Sequence, residues 1–153
     1  MDIDIGRSAL QHIYGNLWIK RDDLIDPIIG GNKFRKLKYN IQAAKAAGKD
    51  TLLTFGGAYS NHILATARAG QIHNMRTIGV IRGHAEKGLS PNLIKAQDMG
   101  MTLQFLSRED YKDRNDAAYL TALQALHPSA YIIPEGGTNA HAMKGIAEIR
   151  AIF

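Results

Sequence analysis

The chain has 153 residues, of which 45% are hydrophobic and 22% are charged, a composition typical of an ordinary globular protein. It contains no cysteine, which excludes disulfides, cysteine nucleophiles and cysteine-based metal sites. No apolar run approaches the length that crosses a membrane. The acidic start, Met1-Asp2-Ile3-Asp4, lacks the basic and apolar pattern of a signal peptide, so we expect a cytoplasmic location.

The net charge of +5 raises the question of nucleic-acid binding. Basic residues cluster between positions 33 and 49, but no nucleic-acid-binding motif accompanies them, and the aromatic residues are scattered. A surplus of this size is also common in proteins that handle anionic substrates. We therefore expect a small-molecule partner rather than nucleic acid or a membrane. A basic nucleic-acid binder is a minor alternative, for which affinity would fall steeply with salt.

Short apolar segments rich in β-formers alternate with helical patterns along most of the chain. Residues 1–32 form a separate lead-in, with one strand near Trp18 and turns at Asp26-Pro27 and Gly30-Gly31. Beyond them, four strands are predicted, at residues 51–55, 77–81, 102–106 and 131–133. Near-continuous apolar strands separated by helices predict an α/β fold, an open parallel sheet with helices on both faces.

Each intervening helix has a readable start or end, because Ser and Asn cap helix starts, whereas Gly and Pro end helices. The predicted boundaries are Gly48 after the first helix, Ser60 before and Gly70 near the end of the second, Ser90-Pro91 before and Gly100 after the third, Pro128 after the fourth, and Asn139 at the start of a last helix that runs to the C-terminus.

The first motif with chemical content is Gly30-Gly31-Asn32-Lys33-Phe34-Arg35-Lys36-Leu37. It places Lys33 at the positive end of a helix, where the dipole disfavours the ammonium by only ~0.3–1 kcal/mol. Repulsion from Arg35 and Lys36, together with partial burial, would add to this effect. Lys33 is thus a candidate for Schiff-base chemistry, although from residue type alone a solvated lysine is the better interpretation. Lys36 is its nearest rival and reads as an ordinary cation, and Asn32 either orients the site or caps the helix.

The second motif is Gly56-Gly57-Ala58-Tyr59-Ser60-Asn61-His62, which follows a predicted strand and opens a helix. Free N–H groups at a helix start, with hydroxyl and amide donors beside them, form an anion cradle. Ser60 could instead serve only as the helix cap, and both roles are compatible. The spacing of the glycines does not match a nicotinamide-binding Gly-x-Gly-x-x-Gly loop, so that fold is rejected.

Both motifs resemble those of the 1-aminocyclopropane-1-carboxylate deaminase / D-cysteine desulfhydrase family. The resemblance extends to Trp18-Ile19-Lys20-Arg21-Asp22-Asp23 upstream and to Ile133-Pro134-Glu135-Gly136-Gly137-Thr138-Asn139 downstream, in the family's order. These are pyridoxal-phosphate enzymes of the tryptophan-synthase-β-like fold. The resemblance implies pyridoxal 5′-phosphate as cofactor and a small amino acid as substrate.

By this resemblance, Lys33 matches the lysine that forms the aldimine with the cofactor, and Ser60 matches a catalytic serine beside the substrate. Asn61 matches the asparagine that bonds the cofactor's ring hydroxyl, and the loop of residues 60–62 would hold the substrate carboxylate. His62 favours the desulfhydrase side, since the deaminases typically carry Gln there. The roles of Tyr59 and Glu135 stay open. The remaining histidines lack ligand-like spacing, so we expect no metal site.

The resemblance also predicts how the chain is divided. Residues 1–45 would belong to the large domain and carry the lysine helix, and residues 46–153 would form the four-stranded small domain. The rest of the large domain, with its phosphate cup, would be absent. The implied activity is that of a deaminating lyase, converting D-cysteine to pyruvate, sulfide and ammonia. The alternatives are a 1-aminocyclopropane-1-carboxylate deaminase and a truncated, non-catalytic α/β module. A homodimer is also implied, because family members commonly pair.

Overall fold

The computed structural model describes residues 10–149. In chain order, its strands are β1 (Leu10–Tyr14), β2 (Leu17–Lys20), β3 (Thr51–Gly57), β4 (Arg76–Arg82), β5 (Met101–Leu106) and β6 (Ala130–Ile133). Its α-helices are α1 (Asn32–Ala46), α2 (Asn61–His73), α3 (Pro91–Asp98), α4 (Ala117–Leu126) and α5 (Ala140–Ala147).

The central sheet has four parallel strands in the order β5-β4-β3-β6, as the sequence predicts. Neighbouring residues of a strand point to opposite faces, and both Leu52 and Leu53 in β3 are fully buried. Leu52 packs with apolar residues of α1 and α2, whereas Leu53 packs with Tyr111 and with Leu123 of α4. Helices therefore cover both faces, which confirms the predicted fold class.

The strand order reverses at β3, and this reversal locates the site. β4 and β5 lie on one side of β3, whereas β6 lies on the other. The loop after β3 leads into α2, and the segment after β6 leads into α5. These two connections diverge at the carboxyl edge of the sheet, where open α/β sheets bind ligands.

Most predicted helix ends are confirmed. The side chains of Ser60, Ser90 and Asn139 each accept a backbone N–H of the helix they precede, at 3.3, 3.2 and 2.9 Å. Gly48 and Gly100 have the left-handed conformations expected after a helix, with φ of 66° and 90°. The predicted continuation of the last helix to the C-terminus lies outside the described residues.

Two predictions are wrong: the number of strands in the lead-in and the residue at which α2 ends. The lead-in contains two strands rather than one, because Gly15, with φ of 54°, allows a tight turn between β1 and β2. Helix α2 continues to His73 and ends on Asn74 in the left-handed conformation. Gly70 serves close packing instead, since a Cβ there would lie 2.3 Å from the Cγ2 of Thr77.

Helix α1 packs closely on α5, where a Cβ at Gly145 would lie 1.9 Å from the carbonyl oxygen of Arg35. Helix α1, which carries Lys33, therefore packs against α5, the last described helix. The predicted domain boundary between residues 45 and 46 remains a proposal. No helix within residues 10–149 combines the length and apolar character needed to cross a membrane.

Candidate active site

A buried ion pair holds the turn before α1 in place. The guanidinium of Arg35, 1% exposed, donates two hydrogen bonds of 2.9 Å to the carboxylate of Asp22. The backbone carbonyl of Asp22 also accepts the N–H of Gly31 at 3.2 Å. Gly31 precedes the helix with φ of 62° and is its N-cap residue, so Asn32 does not cap α1. These contacts set where α1 begins and so where Lys33, its second residue, lies.

Lys33 and Lys36 reach the same backbone carbonyl. Their Nζ atoms lie 3.4 and 3.3 Å from the oxygen of Gly136, and Lys36 also donates to the hydroxyl of Thr138 at 2.9 Å. Burial lowers the pKa of Lys33, and the charge of Lys36 lowers it further. Arg35 does not add the expected repulsion, because its charge is paired with Asp22. An amine in this position is easier to obtain in its nucleophilic, uncharged form.

His62 lies near Lys33 and Lys36, and 2% of its surface is exposed. Its Nε2 is 2.9 Å from the hydroxyl oxygen of Thr54, which itself donates to the carbonyl of Ile133 at 2.9 Å. Burial, followed by the charges of Lys33 and Lys36, lowers the pKa of His62 to about 3. The ring is therefore neutral at ordinary pH. Its Nδ1 is buried and has no hydrogen-bond partner among residues 10–149.

The loop after β3 contains the residues of the predicted anion cradle. Ser60 is partly exposed and Asn61 exposed, at a helix start where the first N–H groups have no intrahelical acceptor. The N–H of Ile63 is taken by Ser60, which leaves those of Asn61 and His62 at the positive end of α2. Gly56 lets the loop turn back closely, since a Cβ there would lie 2.8 Å from the Ser60 hydroxyl. The arrangement suits a carboxylate or another small anion.

A residue of α3 supports the same loop. The side-chain amide of Asn92 donates to the carbonyl of Tyr59 at 3.2 Å and to the side-chain oxygen of Asn61 at 3.4 Å. The hydroxyl of Ser90 donates to the carbonyl of Ala58. Tyr59 itself is 77% exposed, and its side chain has no assigned role.

Glu135 faces away from the two lysines. Its carboxylate accepts a hydrogen bond of 2.6 Å from Arg114, whose guanidinium lies 4.9 Å from the centre of the Tyr111 ring. Burial, followed by the charge of Glu135, raises the pKa of the Tyr111 hydroxyl. Glu135 thus belongs to a polar cluster on the other side of β6, and no role in the cleft is assigned to it.

The structure brings Lys33, Lys36 and His62 together at the edge between β3 and β6, with Ser60 and Asn61 at the start of the same helix as His62. Sequence reasoning missed Thr54 and the carbonyl of Gly136. Threonine is a normal strand residue, so Thr54 gives no signal in an apolar run. A backbone carbonyl has no signature in the sequence. Among residues 10–149, no three His, Cys, Asp or Glu side chains are grouped as metal ligands would be.

Comparison with known proteins decides the family. The model of the pyridoxal-phosphate-dependent enzyme family matches residues 5–151, almost the whole chain. The chain belongs to this family. This confirms the resemblance that the two glycine-rich motifs indicate.

Individual members of the pyridoxal-phosphate-dependent family agree with this assignment. The chain is 33% identical over 141 residues to the mitochondrial bifunctional D-cysteine desulfhydrase/1-aminocyclopropane-1-carboxylate deaminase of Arabidopsis thaliana, covering 86% of this chain and 35% of that protein. It is 31% identical over 143 residues to the D-cysteine desulfhydrase of Klebsiella pneumoniae, covering 90% and 43%. A crystal structure of an ACC deaminase homologue superposes with a TM-score of 0.73 at 31% identity, over 88% of this chain and 42% of that one. The chain thus spans less than half the length of these relatives.

Proposed function

We propose that this chain supplies the cofactor lysine and the substrate loop of a pyridoxal-phosphate-dependent deaminating lyase of the D-cysteine desulfhydrase type. One observation carries the proposal. The amine of Lys33 is partly buried and has a lowered pKa, and it lies at the sheet edge where the anion cradle of α2 begins. An amine nucleophile and a carboxylate site side by side are what an amino-acid substrate requires.

The residues present fit pyridoxal phosphate. Lys33 offers an amine that a carbonyl can bond, and Asn61, at the start of α2, offers an exposed amide for the ring hydroxyl. When bound, the cofactor supplies an electron sink for the negative charge that forms at the substrate carbon next to the amino group. The group that would hold the cofactor phosphate is not assigned to any residue described here.

The protein's own groups have three tasks in this proposal. The N–H groups of Asn61 and His62 and the hydroxyl of Ser60 bind and orient the substrate carboxylate. Lys33, once its Nζ is free, takes the proton from the substrate carbon, and Ser60 holds a hydroxyl proton beside the reacting atoms. The thiol then leaves from the β-carbon, and with one water D-cysteine gives pyruvate, hydrogen sulfide and ammonia.

The alternatives are a 1-aminocyclopropane-1-carboxylate deaminase and an α/β module without catalysis. His62 is the residue that favours the desulfhydrase type, through the resemblance of Ser60-Asn61-His62 to that branch. A homodimer belongs to the same proposal and rests on the sequence resemblance alone, and a cytoplasmic location remains an expectation from the sequence. Size-exclusion chromatography with light scattering would test the dimer.

The decisive experiment is covalent trapping. Purified protein is mixed with pyridoxal phosphate, reduced with borohydride and digested, and the labelled lysines are located by mass spectrometry. We expect the label on Lys33, its loss in Lys33→Ala, and little change in Lys45→Ala, which removes an exposed lysine of the same helix. Labelling spread over exposed lysines, or none on Lys33, would overturn the proposal. Sulfide release from D-cysteine, against ammonia release from the cyclopropane substrate, separates the two lyase types.

A further inference from the structure

The side chain of His62 has no task in the proposed reaction, although its ring is close enough to Lys33 to feel the charge of that lysine. Only its backbone N–H faces the anion cradle, whereas its ring is buried between β3 and the segment after β6. A buried polar atom without a partner destabilises the folded state, because it has lost its hydrogen bonds to water. The unpartnered Nδ1 therefore calls for an explanation.

One tautomer of His62 satisfies both close contacts of the Thr54 hydroxyl. Within residues 10–149, that hydroxyl reaches the backbone carbonyls of Ile133 at 2.9 Å and Pro134 at 3.5 Å. When its single hydrogen is donated to Ile133, the oxygen of Thr54 accepts from Nε2–H of His62, at 2.9 Å. In this tautomer Nε2 carries the proton, and Nδ1 presents an unshared electron pair.

Gly137 keeps the space in front of that electron pair open. A Cβ at this position would lie 2.8 Å from Cε1 and 3.3 Å from Nδ1 of His62. The preceding residue, Gly136, carries the carbonyl that both lysines approach. The amines of Lys33 and Lys36 thus approach Gly136, and Nδ1 of His62 lies close to the adjacent residue, Gly137.

Of the two lysines, Lys33 has more donors to spare. Lys36 bonds both Gly136 and Thr138, at 3.3 and 2.9 Å, which uses two of its three N–H groups. Within residues 10–149, Lys33 makes only the bond of 3.4 Å to Gly136, which uses one. The nearest acid of this segment, Glu135, is paired with Arg114, and β3 contributes only the uncharged Thr54. Among the described residues, the buried side-chain atoms without a hydrogen-bond partner are Lys20 Nζ, Tyr111 OH and His62 Nδ1, and of these only the His62 group is shown to feel the charge of Lys33.

We propose that His62, locked by Thr54 as the Nε2–H tautomer, is a positioning residue whose Nδ1 accepts a hydrogen bond from the free amine of Lys33. This role rests on the proposed function of Lys33. An uncharged amine has two N–H groups, so bonds to Gly136 and to His62 would use both. The electron pair of Lys33 would then face the open cleft, where a carbonyl or an acidic carbon is presented.

The tautomer can be read directly, without any cofactor. In ¹⁵N-labelled protein, long-range proton–nitrogen correlation spectra distinguish Nε2–H, Nδ1–H and imidazolium, and the signals absent from His62→Gln identify residue 62. We expect the neutral Nε2–H form at pH 7, its retention in Thr54→Ser and its loss as the sole form in Thr54→Val. A protonated Nδ1 or an imidazolium at pH 7 would overturn the proposal.

The acceptor role is tested by the reactivity of Lys33 toward a small acylating reagent at pH 8, followed by mass spectrometry. His62→Phe keeps the ring but removes the acceptor, so the ammonium of Lys33 loses a stabilising bond and its labelling should rise roughly tenfold. His62→Gln keeps an amide donor for Thr54 and a carbonyl acceptor, and should stay within about twofold of the wild type. A ring that only fills space predicts the reverse order, with Phe like the wild type, and that result would refute the role. Failure of the proposed function appears separately, as absence of a pyridoxal-phosphate label on Lys33.

Discussion

The carboxylate of Asp22 accepts two hydrogen bonds from the guanidinium of Arg35, next to the turn that leads into Lys33. Arg35 is 1% exposed, so this pair is buried, whereas the pair of Asp50 and Arg76 has similar distances at the surface. The two pairs therefore form a matched comparison of one interaction in two environments.

Asp22→Asn should destabilise the protein strongly, because it leaves a buried guanidinium without its counter-charge. Breaking a buried pair costs about 3–5 kcal/mol, whereas an exposed pair is worth at most about 1 kcal/mol. Urea unfolding would measure the free energy of unfolding of both variants. A loss in Asp22→Asn no larger than in Asp50→Asn would show that the turn before Lys33 does not depend on this pair.

The reactivity of Lys33 should depend on Lys36. Removing the charge in Lys36→Met raises the pKa of Lys33, so that less of it is uncharged at pH 8 and labelling by an acylating reagent slows by about threefold. Lys38→Met is the control, since Lys38 lies on the same helix but pairs with Glu148. Equal labelling of Lys33 in the wild type and Lys36→Met would contradict the electrostatic coupling.

His62 should make the protein sensitive to acid. Its pKa is about 3 in the folded state, against the ordinary histidine value of 6.5 in the unfolded chain. The unfolded chain thus binds an extra proton between these values, and stability is full above pH 6.5 and falls as the pH drops toward 3. The slope should be at most about 1.4 kcal/mol per pH unit.

The cleanest window for this measurement is between pH 6.5 and about 4.5, above the range where most carboxylates titrate. The free energy of unfolding of His62→Gln should depend less on pH there than that of the wild type. His141→Gln, which alters an exposed histidine, is the control variant. Parallel slopes for the wild type and His62→Gln would mean that His62 is protonated in the folded protein.

Two glycines should be intolerant of alanine for steric reasons alone. A Cβ at Gly145 meets the backbone oxygen of Arg35 at 1.9 Å, and one at Gly70 meets Thr77 at 2.3 Å. Overpacking of this kind costs roughly 1–3 kcal/mol or more. At Gly30 a Cβ has only ordinary contacts, at 3.6 Å and beyond, so Gly30→Ala is the control for thermal unfolding. A Gly145→Ala variant as stable as Gly30→Ala would place α1 and α5 further apart than described.

Much of the fold is predictable from local chemistry. The four strands of the parallel sheet follow from apolar segments, and Ser60, Ser90 and Asn139 follow from the need to cap a helix start. The end of α2 does not, because Gly70 is needed for contact with Thr77, a residue brought near only by the fold. A glycine required for packing cannot be told from a glycine that ends a helix by sequence alone.

The candidate site also has parts that the sequence predicts and parts that it does not. The motif around Lys33 and the cradle of Ser60 and Asn61 are visible in sequence because they use side chains at helix starts. The partners of Lys33 and His62 are not visible, since Gly136 contributes a backbone carbonyl, and Thr54 is separated from His62 by a loop. These sequence motifs do not show which distant residues lie close together in the folded protein.

The spacing of Lys33 and Lys36 on α1 has a practical meaning for anyone altering this helix. Three residues apart, they lie on one side of the helix and reach one oxygen. A single inserted residue between them would rotate one amine by about 100° around the axis and carry it along by about 1.5 Å. Length variation in the first turn of α1 should therefore be tolerated far less than substitution.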